Sequence, residues 1–291
     1  MAELFYSIRT FGSLIKFSHT IFALPFALIS LVLASYEIPF SLIFGEKLLW
    51  IVLAMVGARS AAMGFNRVVD ADFDKKNPRT SSREIPAGKI TVQTAWVFIL
   101  LASSLFVFSA WMLNELCFYL SPVALSVIFF YSLTKRFTWA AHLFLGLGIG
   151  LAPVGAWLAI TGEFDLVPIL LGFAVTSWIA GFDIIYACQD VDFDRNVSLK
   201  SIPVRFGVEN SLFFARMLHG IMVLLMLAVG LLVPSGWIYF AGMITLVVLL
   251  TIEHRLVNPK DLSKINIAFF HLNSAISVVL FFFVLTDRLF P

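Results

Sequence analysis

Residues 66–74 read NRVVDADFD, and residues 183–194 read DIIYACQDVDFD. The pattern D-x-D-F-D therefore occurs twice, 120 residues apart, in a chain that is 60% hydrophobic. These two copies hold six of the 18 carboxylates. Carboxylates this close together repel one another, so the duplicated pattern indicates a cation, or a ligand that carries one, between them.

The composition around these acids is that of a membrane protein. Only 13% of the 291 residues are charged, against ~25% in soluble domains, and the mean hydropathy is +0.95. A soluble globule of this length would need more polar surface, so we expect a polytopic membrane protein. Cys117 and Cys188 fall in different apolar segments and are expected to be buried thiols. The N-terminus lacks a clear cleavage site, and we expect it to be retained.

The apolar segments predict an all-α fold. A membrane-spanning helix needs about 20 mainly apolar residues, and nine segments qualify. We therefore expect nine transmembrane helices in a bundle around a central cavity that opens to the cytoplasmic side. The predicted spans are 14–35, 47–68, 92–113, 116–134, 138–160, 166–188, 210–233, 236–253 and 265–286.

The acidic patterns are followed by similar sequences, SREIPAG at 82–88 and LKSIPVRFG at 199–207. This likeness predicts a single domain of two similar halves, about 1–135 and 136–291. Lys and Arg concentrate in the N-terminus and in the loops after spans 2, 4, 6 and 8. By the positive-inside rule that side is cytoplasmic, so both acidic patterns are expected at the cytoplasmic ends of spans 2 and 6.

Helical spacing selects a pair of carboxylates from the first pattern. Asn66, Asp70 and Asp74 are at i, i+4 and i+8, so they share one helix face, whereas Asp72 points elsewhere. Arg59 lies near the same face and deeper in the membrane. Ionisable groups at such depth are functional candidates, although a structural ion pair between Arg59 and a carboxylate is an alternative.

The second pattern has the same register. Asp190 and Asp194 form the second pair, and Tyr186 and Asp183 extend their stripe into the membrane, while Asp192 points away. One or two carboxylates per ion suit Mg²⁺, which takes its remaining oxygens from water and substrate phosphates. Basic residues in the same loops fit phosphate binding. These basic residues are Arg67, Lys75, Arg79, Lys135, Arg136, Lys200 and Arg205.

Two other functions are weighed against a bound diphosphate with an apolar tail. An ion-coupled transporter would explain Asp183 and Arg59 inside spans and the two similar halves. However, the densest acids lie at one mouth, whereas a transport site normally lies near the midplane. A phosphatidyl-group transferase would carry a D-x-x-D-G…A-R motif, which the sequence lacks. Four further lysines are read as topology signals only: Lys76, Lys89, Lys260 and Lys264.

Three motifs in order resemble the UbiA-type intramembrane prenyltransferases. Residues 66–74 are similar to the family's N-x-x-x-D-x-x-x-D signature, and residues 183–194 to its D-x-x-x-D signature with a leading D-x-x-Y-A. The stretch from Tyr131 to Lys135 resembles its Y-x-x-x-K element. Arg67 departs from the pattern, because many members carry Asp there. The likeness covers essentially the whole chain and is greatest to bacterial 4-hydroxybenzoate polyprenyltransferases, some of which act in menaquinone synthesis through the futalosine route.

The resemblance implies Mg²⁺-dependent transfer of a polyprenyl group from its diphosphate to a small aromatic acceptor, in ubiquinone or menaquinone biosynthesis. It implies that Asp183 orients or deprotonates the acceptor, that Arg59 binds an acceptor carboxylate, and that Tyr131 aids Lys135. The implied Mg²⁺ ligands are Asn66, Asp70, Asp74, Asp190 and Asp194. The implied diphosphate-binding residues are Arg67, Arg79, Lys135, Lys200 and Arg205.

Weaker expectations concern the acceptor and the surroundings. His19 and Tyr186 are candidates for the acceptor site, although a lone buried histidine is more often structural; His142 and His271 receive no role. The expected partners are the diphosphate donor, the aromatic acceptor and membrane lipid, without nucleic acid or an obligate protein partner. The resemblance to bacterial enzymes implies the bacterial inner membrane. Gly146, Gly148 and Gly150, followed by Pro153, indicate either close helix packing or a kink.

Overall fold

The computed structural model describes residues 11–14, 22–36 and 45–290. Within these ranges the regular structure is helical, apart from one isolated bridge between Asn258 and Asp261, so the all-α prediction is confirmed. The helices are α1 Leu24–Ala34, α2 Glu46–Val69, α3 Ala71–Lys76, α4 Val92–Leu113, α5 Glu115–Thr134, α6 Ala141–Thr161, α7 Leu166–Ala187, α8 Val191–Asn196, α9 Ile202–Leu232, α10 Trp237–Leu256 and α11 Asn273–Leu289. A π-helical turn, Ile267–Leu272, leads into α11.

Eight helical stretches in the described part of the chain are long and apolar enough to cross a membrane. α7 and α8 form one such stretch, and the π-helical turn and α11 form another. The first expected span, 14–35, is described only in part, and its helix α1 has 11 residues. Nine crossings and a cytoplasmic opening therefore stay predictions.

Helix α9 begins eight residues before the predicted span 210–233. Ser201 caps it by accepting a hydrogen bond from the Val204 amide at 3.3 Å. Gly207 interrupts the helix with a φ of +78°, a backbone conformation that glycine adopts at little cost. The membrane-spanning part of α9 thus follows a short helical segment with a different direction.

Short connections make the middle helices antiparallel neighbours, as their spacing predicts. Asn114 separates α4 from α5, and its side chain accepts from the Cys117 amide at 2.8 Å and donates to the Leu158 carbonyl of α6 at 2.7 Å. Gly162, with a φ of +76°, ends α6, and Asp165 caps α7. Asn114, Gly162 and Asp165 therefore fix the adjacent ends of four successive helices, α4 to α7.

Helix α7 is the centre of the bundle and packs against α1, α6 and α9. Trp178 is fully buried and contacts Phe26 and Phe182, with ring centroids 5.0 and 5.1 Å apart. Such edge and tilted ring pairs add specific packing energy to the buried apolar area. The second acidic pattern lies directly after this rigid helix.

Glycines bring α6 and α7 unusually close. A methyl group on Gly150 would lie 2.5 Å from the Gly172 carbonyl oxygen, and one on Gly146 would overlap the Thr176 carbonyl. The alternatives were close packing or a kink, and these contacts show close packing of the kind that small residues permit between membrane helices. The interface holds α6 in one register against α7.

A buried polar network joins the later helices. Asn273 is fully buried, donates to Glu253 Oε1 at 3.0 Å and accepts from the Trp178 indole at 2.7 Å. His219 of α9 lies 3.0 Å from His254 of α10 between ring nitrogens, and 3.9 Å from Glu253 Oε2. Buried polar groups of this kind need partners, so the network fixes the order in which α7, α9, α10 and α11 pack.

Candidate active site

The two acidic patterns form matching bends. Asp70 follows α2 with φ −91° and ψ 4°, and Asp190 precedes α8 with φ −103° and ψ 4°. Each bend starts a six-residue helix, α3 or α8, in which the fourth residue is a buried aspartate. Asp74 is 6% exposed and Asp194 is 4% exposed.

The middle aspartate of each pattern, Asp72 or Asp192, is exposed. Its side chain therefore lies on the opposite side from the buried carboxylate two residues later. This difference matches the register that helical spacing predicts for the two carboxylate pairs.

Arg79 joins the loop after the first acidic pattern to the second acidic pattern. Its guanidinium donates from Nε to Asp190 Oδ1 at 2.9 Å and from Nη2 to Oδ2 at 2.5 Å, a bidentate pair. Its Nη1 donates to the Tyr186 hydroxyl at 2.9 Å. Burial lowers the pKa of Arg79, but the hydrogen bonds to Asp190 together with the electrostatic attraction of Tyr186, Asp190 and Asp74 outweigh it and leave the pKa above its usual value. The loop after α3 is thus tied to the second acidic pattern.

The first acidic pattern has its own basic partners. Arg83 donates from Nη1 to both carboxylate oxygens of Asp74, at 2.6 and 2.8 Å. Asn66 donates to Asp70 Oδ2 at 2.9 Å, and Arg136 Nη2 lies 3.5 Å from Asp70 Oδ1. Burial raises the pKa of the Asp70 carboxyl above its usual value, with Lys135 opposing the shift. The ion pair with Arg83 was not predicted, because loop arginines usually report only topology.

Lys135 lies between the two acidic patterns. It follows α5, and burial by itself lowers its pKa. Four carboxylates outweigh burial and hold the pKa of Lys135 above its usual value: those of Asp183, Asp194, Asp70 and Asp190. Both patterns therefore act on one ammonium group.

Three predicted basic residues have other surroundings. Arg67 is 3% exposed and interacts electrostatically with Asp74 and Glu84. Lys200 donates from Nζ to the Phe137 carbonyl at 3.2 Å, and the Arg205 guanidinium stacks 5.3 Å from the centre of the Trp139 ring. These side-chain contacts of Lys200 and Arg205 are thus not with the carboxylates, although the Lys200 amide donates to the Lys135 carbonyl at 2.7 Å.

An apolar cavity lies beside the acids, between α2, α4, α5 and α6. It encloses about 1290 Å³ of empty space, its opening included. Arg59 and Tyr131 line it among apolar residues that extend along α6 to Leu158. The predicted residues Arg59 and Tyr131 are therefore brought together at a cavity suited to an apolar chain.

Asp183 has a hydrogen-bond partner that was not predicted from the sequence. His142 of α6 is fully buried, and its Nδ1 lies 2.6 Å from Asp183 Oδ2. A carboxylate inside a span requires a polar partner, and this requirement could have directed attention to the few histidines in neighbouring spans. His19, a candidate for the acceptor site, falls outside the described residues.

The carboxylates fit a magnesium ion that is shared with a substrate. Among the described residues, no three His, Cys, Asp or Glu side chains lie close enough to hold a metal by themselves. Each acidic pattern instead offers a pair of aspartates, and Asp194 Oδ2 is buried with no hydrogen-bond partner in the described part of the chain. An oxygen-only donor set of one or two carboxylates suits Mg²⁺, which completes its shell with water and phosphate oxygens.

Residues 23–275 match the UbiA prenyltransferase family. The chain belongs to this family. It is 31% identical over 247 residues to the 4-hydroxybenzoate octaprenyltransferase of Methylobacillus flagellatus, covering 84% of this chain and 82% of the relative. It is 32% identical over 235 residues to the enzyme of the same name from Vibrio parahaemolyticus, covering 80% and 76%.

Solved structures agree with this assignment. The apo structure of a UbiA homolog from Aeropyrum pernix K1 has a TM-score of 0.83 and 31% identity, covering 92% of this chain and 98% of that one. A UbiA homolog from Archaeoglobus fulgidus, bound to GPP and Mg²⁺, has a TM-score of 0.72 at 21% identity, covering 95% and 99%. The resemblance to this family is confirmed: the chain is a membrane-embedded prenyltransferase. The transporter alternative finds no support in these comparisons.

Proposed function

We propose that this UbiA-family enzyme transfers a polyprenyl group from polyprenyl diphosphate to a 4-hydroxybenzoate-like aromatic acceptor in ubiquinone or menaquinone biosynthesis. The names of its relatives support the acceptor class. The observation that carries the proposal is the meeting of two aspartate pairs, Arg79 and Lys135 next to an apolar cavity. This arrangement suits a ligand with a charged head and a long apolar tail.

The proposed ligands of Mg²⁺ are the aspartate pairs of the two bends, together with Asn66. Bound there, Mg²⁺ would neutralise charge on the diphosphate leaving group. Arg79 and Lys135 would donate to diphosphate oxygens, with Tyr131 beside them. For Arg67, Lys200 and Arg205, diphosphate binding stays a prediction.

The reaction breaks the allylic carbon–oxygen bond of the donor, and the bonding electrons leave with the diphosphate. The aromatic ring then forms a bond to the allylic carbon and loses a proton. Arg59, in the cavity, is proposed to bind the acceptor carboxylate, and Asp183 to orient the acceptor or take its proton. The apolar cavity wall keeps water away from the carbocation.

The proposal includes an orientation. Lys and Arg residues cluster on the side of the acidic bends, which favours a cytoplasmic mouth under the positive-inside rule. The bacterial names of the relatives support an inner-membrane location.

The test combines the two halves of the proposed magnesium site. Purified protein is supplied with polyprenyl diphosphate and 4-hydroxybenzoate, and the product is detected by mass. We expect transfer with Mg²⁺, and loss of transfer when EDTA removes it. The double variant Asp70→Asn with Asp190→Asn should lose at least about 1000-fold in rate, since two groups that stabilise the leaving charge are removed.

The matched control is Asp72→Asn with Asp192→Asn. It removes the same charge from exposed carboxylates of the same helices, and should keep activity within about threefold because surface changes have small effects. Activity that survives in the first double variant would contradict the magnesium assignment. A panel of other aromatic acceptors identifies the acceptor if 4-hydroxybenzoate gives no product.

A further inference from the structure

The contact between His142 and Asp183 lies outside the two aspartate pairs. His142 occupies the first turn of α6, and Asp183 lies near the end of α7. The 2.6 Å separation between Nδ1 and Oδ2 is that of a strong, charge-assisted hydrogen bond. The side chain of Asp183 is 19% exposed, whereas His142 is completely enclosed. Asp183 thus reaches open space, whereas His142 does not.

The described surroundings give His142 a single polar contact. Its Nε2 is buried and has no hydrogen-bond partner among the described residues, so within this part of the chain the ring contacts polar atoms only through Nδ1. Gly146 and Gly150 lie one and two turns after His142 on α6 and bring the helix against α7. The close interface therefore aims the imidazole at Asp183 and restricts other rotamers of either side chain.

Asp183 keeps one carboxylate oxygen for another partner. Oδ2 accepts from His142, and within the described part of the chain no residue donates a hydrogen bond to Oδ1. Lys135 interacts electrostatically with Asp183 as well as with Asp70, Asp190 and Asp194. The Asp183 carboxylate thus interacts with a cation of the proposed diphosphate site, while His142 holds its Oδ2.

We propose that His142 is a positioning residue for prenyl transfer, because it holds Asp183 so that the second carboxylate oxygen receives the acceptor's proton. The inference rests on the proposed function. In this step the ring carbon that bonds to the allylic carbon loses its proton to Asp183, and the C–H electron pair restores the aromatic ring. Asp183 passes the proton to water when the product leaves. His142 is not consumed and contacts neither substrate.

The first test compares two substitutions of His142 in the full-length protein. His142→Leu keeps the bulk and removes the donor, and we expect kcat to fall about 10- to 100-fold, the usual cost of losing a partner that orients a functional group. The KM for the diphosphate donor should stay within about twofold. His142→Asn can still donate to the carboxylate, because its amide nitrogen is bonded to Cγ as histidine Nδ1 is, and should recover most of the lost kcat. An equal loss in both variants would overturn the proposal.

A double-variant cycle separates positioning from a structural role. If His142 acts through Asp183, then His142→Leu should change kcat by less than about threefold in an Asp183→Asn background, because coupled residues are not additive. Losses that multiply would show that His142 acts independently and would overturn the proposal. His271→Gln is the matched control, since His271 is exposed, and its kcat should equal that of the wild type.

Two further outcomes are assigned in advance. If His142→Leu does not fold, His142→Asn is compared with His142→Gln, because the asparagine amide nitrogen takes the place of Nδ1, whereas the longer glutamine puts it at the place of Nε2; equal kcat values would then overturn the proposal. If the wild-type protein transfers no prenyl group to any acceptor, the proposed function fails, and the inference that rests on it fails too. An active wild type with an unchanged His142→Leu variant contradicts only the inference.

Discussion

At the scale of single residues, position decides which aspartates can act. Asp74 and Asp194 are buried at the fourth position of short helices, whereas Asp72 and Asp192 at the second position are exposed. Both positions carry aspartate, so the difference in burial comes from helix geometry alone. A burial difference of this kind makes neighbouring acids usable as each other's controls.

Substitution of Arg79 should specifically affect the reaction with the diphosphate donor. Arg79→Gln removes a bidentate contact to Asp190 and a proposed contact to the donor diphosphate. We expect kcat/KM for the diphosphate donor to fall about 10- to 100-fold, because hydrogen bonds to charged groups contribute about 1.5–3 kcal/mol. The KM for the acceptor should change little. Initial rates with each substrate varied in turn measure both effects.

The control for Arg79 is Arg195→Gln. Arg195 is exposed in α8, and its substitution removes the same charge from the same region. If both variants lose activity equally, the effect is one of general surface charge, and the specific role of Arg79 is refuted.

Residue pairs within one helix were predictable, and pairs between helices were not. Helical spacing placed Asp70 with Asp74 and Asp190 with Asp194, because it depends only on local geometry. The contacts of Asp183 with His142 and of Asp74 with Arg83 depend on which helices pack together. A single sequence does not specify that packing. Lys200 and Arg205 lie close to the acidic residues in sequence, but their side chains contact Phe137 and Trp139 instead.

At the scale of helices, the α6–α7 interface is set by glycine. Gly150→Ala places a methyl group 2.5 Å from the Gly172 carbonyl, so the helices must move apart. Overpacking of this kind costs about 1–3 kcal/mol. We expect the midpoint of thermal unfolding in detergent to fall by about 3–10 °C. Activity should fall as well, since the contact between His142 and Asp183 crosses the same interface.

Gly155→Ala is the matched variant on the same helix. No atom lies within 4 Å of the added methyl group, and alanine favours a helix over glycine by about 1 kcal/mol. Its unfolding midpoint should equal or exceed that of the wild type. If Gly150→Ala were equally stable, close packing at Gly150 would not contribute to the fold.

Helix positions were predicted well where hydrophobicity defines them and less well where backbone chemistry does. The middle spans agree with α4 to α7 within a few residues, because apolar length is a direct requirement of the bilayer. The start of α9 was placed too late, since its first residues lie before the membrane-spanning segment and are separated from it by Gly207. Hydropathy does not detect a helix outside the membrane-spanning segment.

At the scale of the molecule, the apolar cavity extends away from the charged residues and is the proposed location of the donor's tail. Gly155 lines the cavity about 20 Å along α6 from His142, at a rise of about 1.5 Å per residue. A larger side chain there removes space far from the charged groups. The cavity itself was expected, but its lining was not predictable, because one sequence does not show which apolar residues face inward.

Gly155→Leu should therefore discriminate between donors by length. We expect kcat/KM for a long polyprenyl diphosphate to fall about tenfold, since each buried methylene that is displaced loses about 0.8 kcal/mol. Geranyl diphosphate, with its short tail, should react as in the wild type. Gly220→Leu adds the same side chain at an exposed position of α9 and is the control. Equal losses for both donors would show that the tail lies elsewhere.

The network around Glu253 has a consequence for how the chain enters the membrane. Glu253 lies three residues before the end of α10, and its hydrogen-bond donor Asn273 begins α11. Acidic residues in an inserting helix are costly, and α10 gains the hydrogen bond to Glu253 Oε1 only once α11 has been synthesised. The two helices should therefore leave the translocation channel as one hairpin.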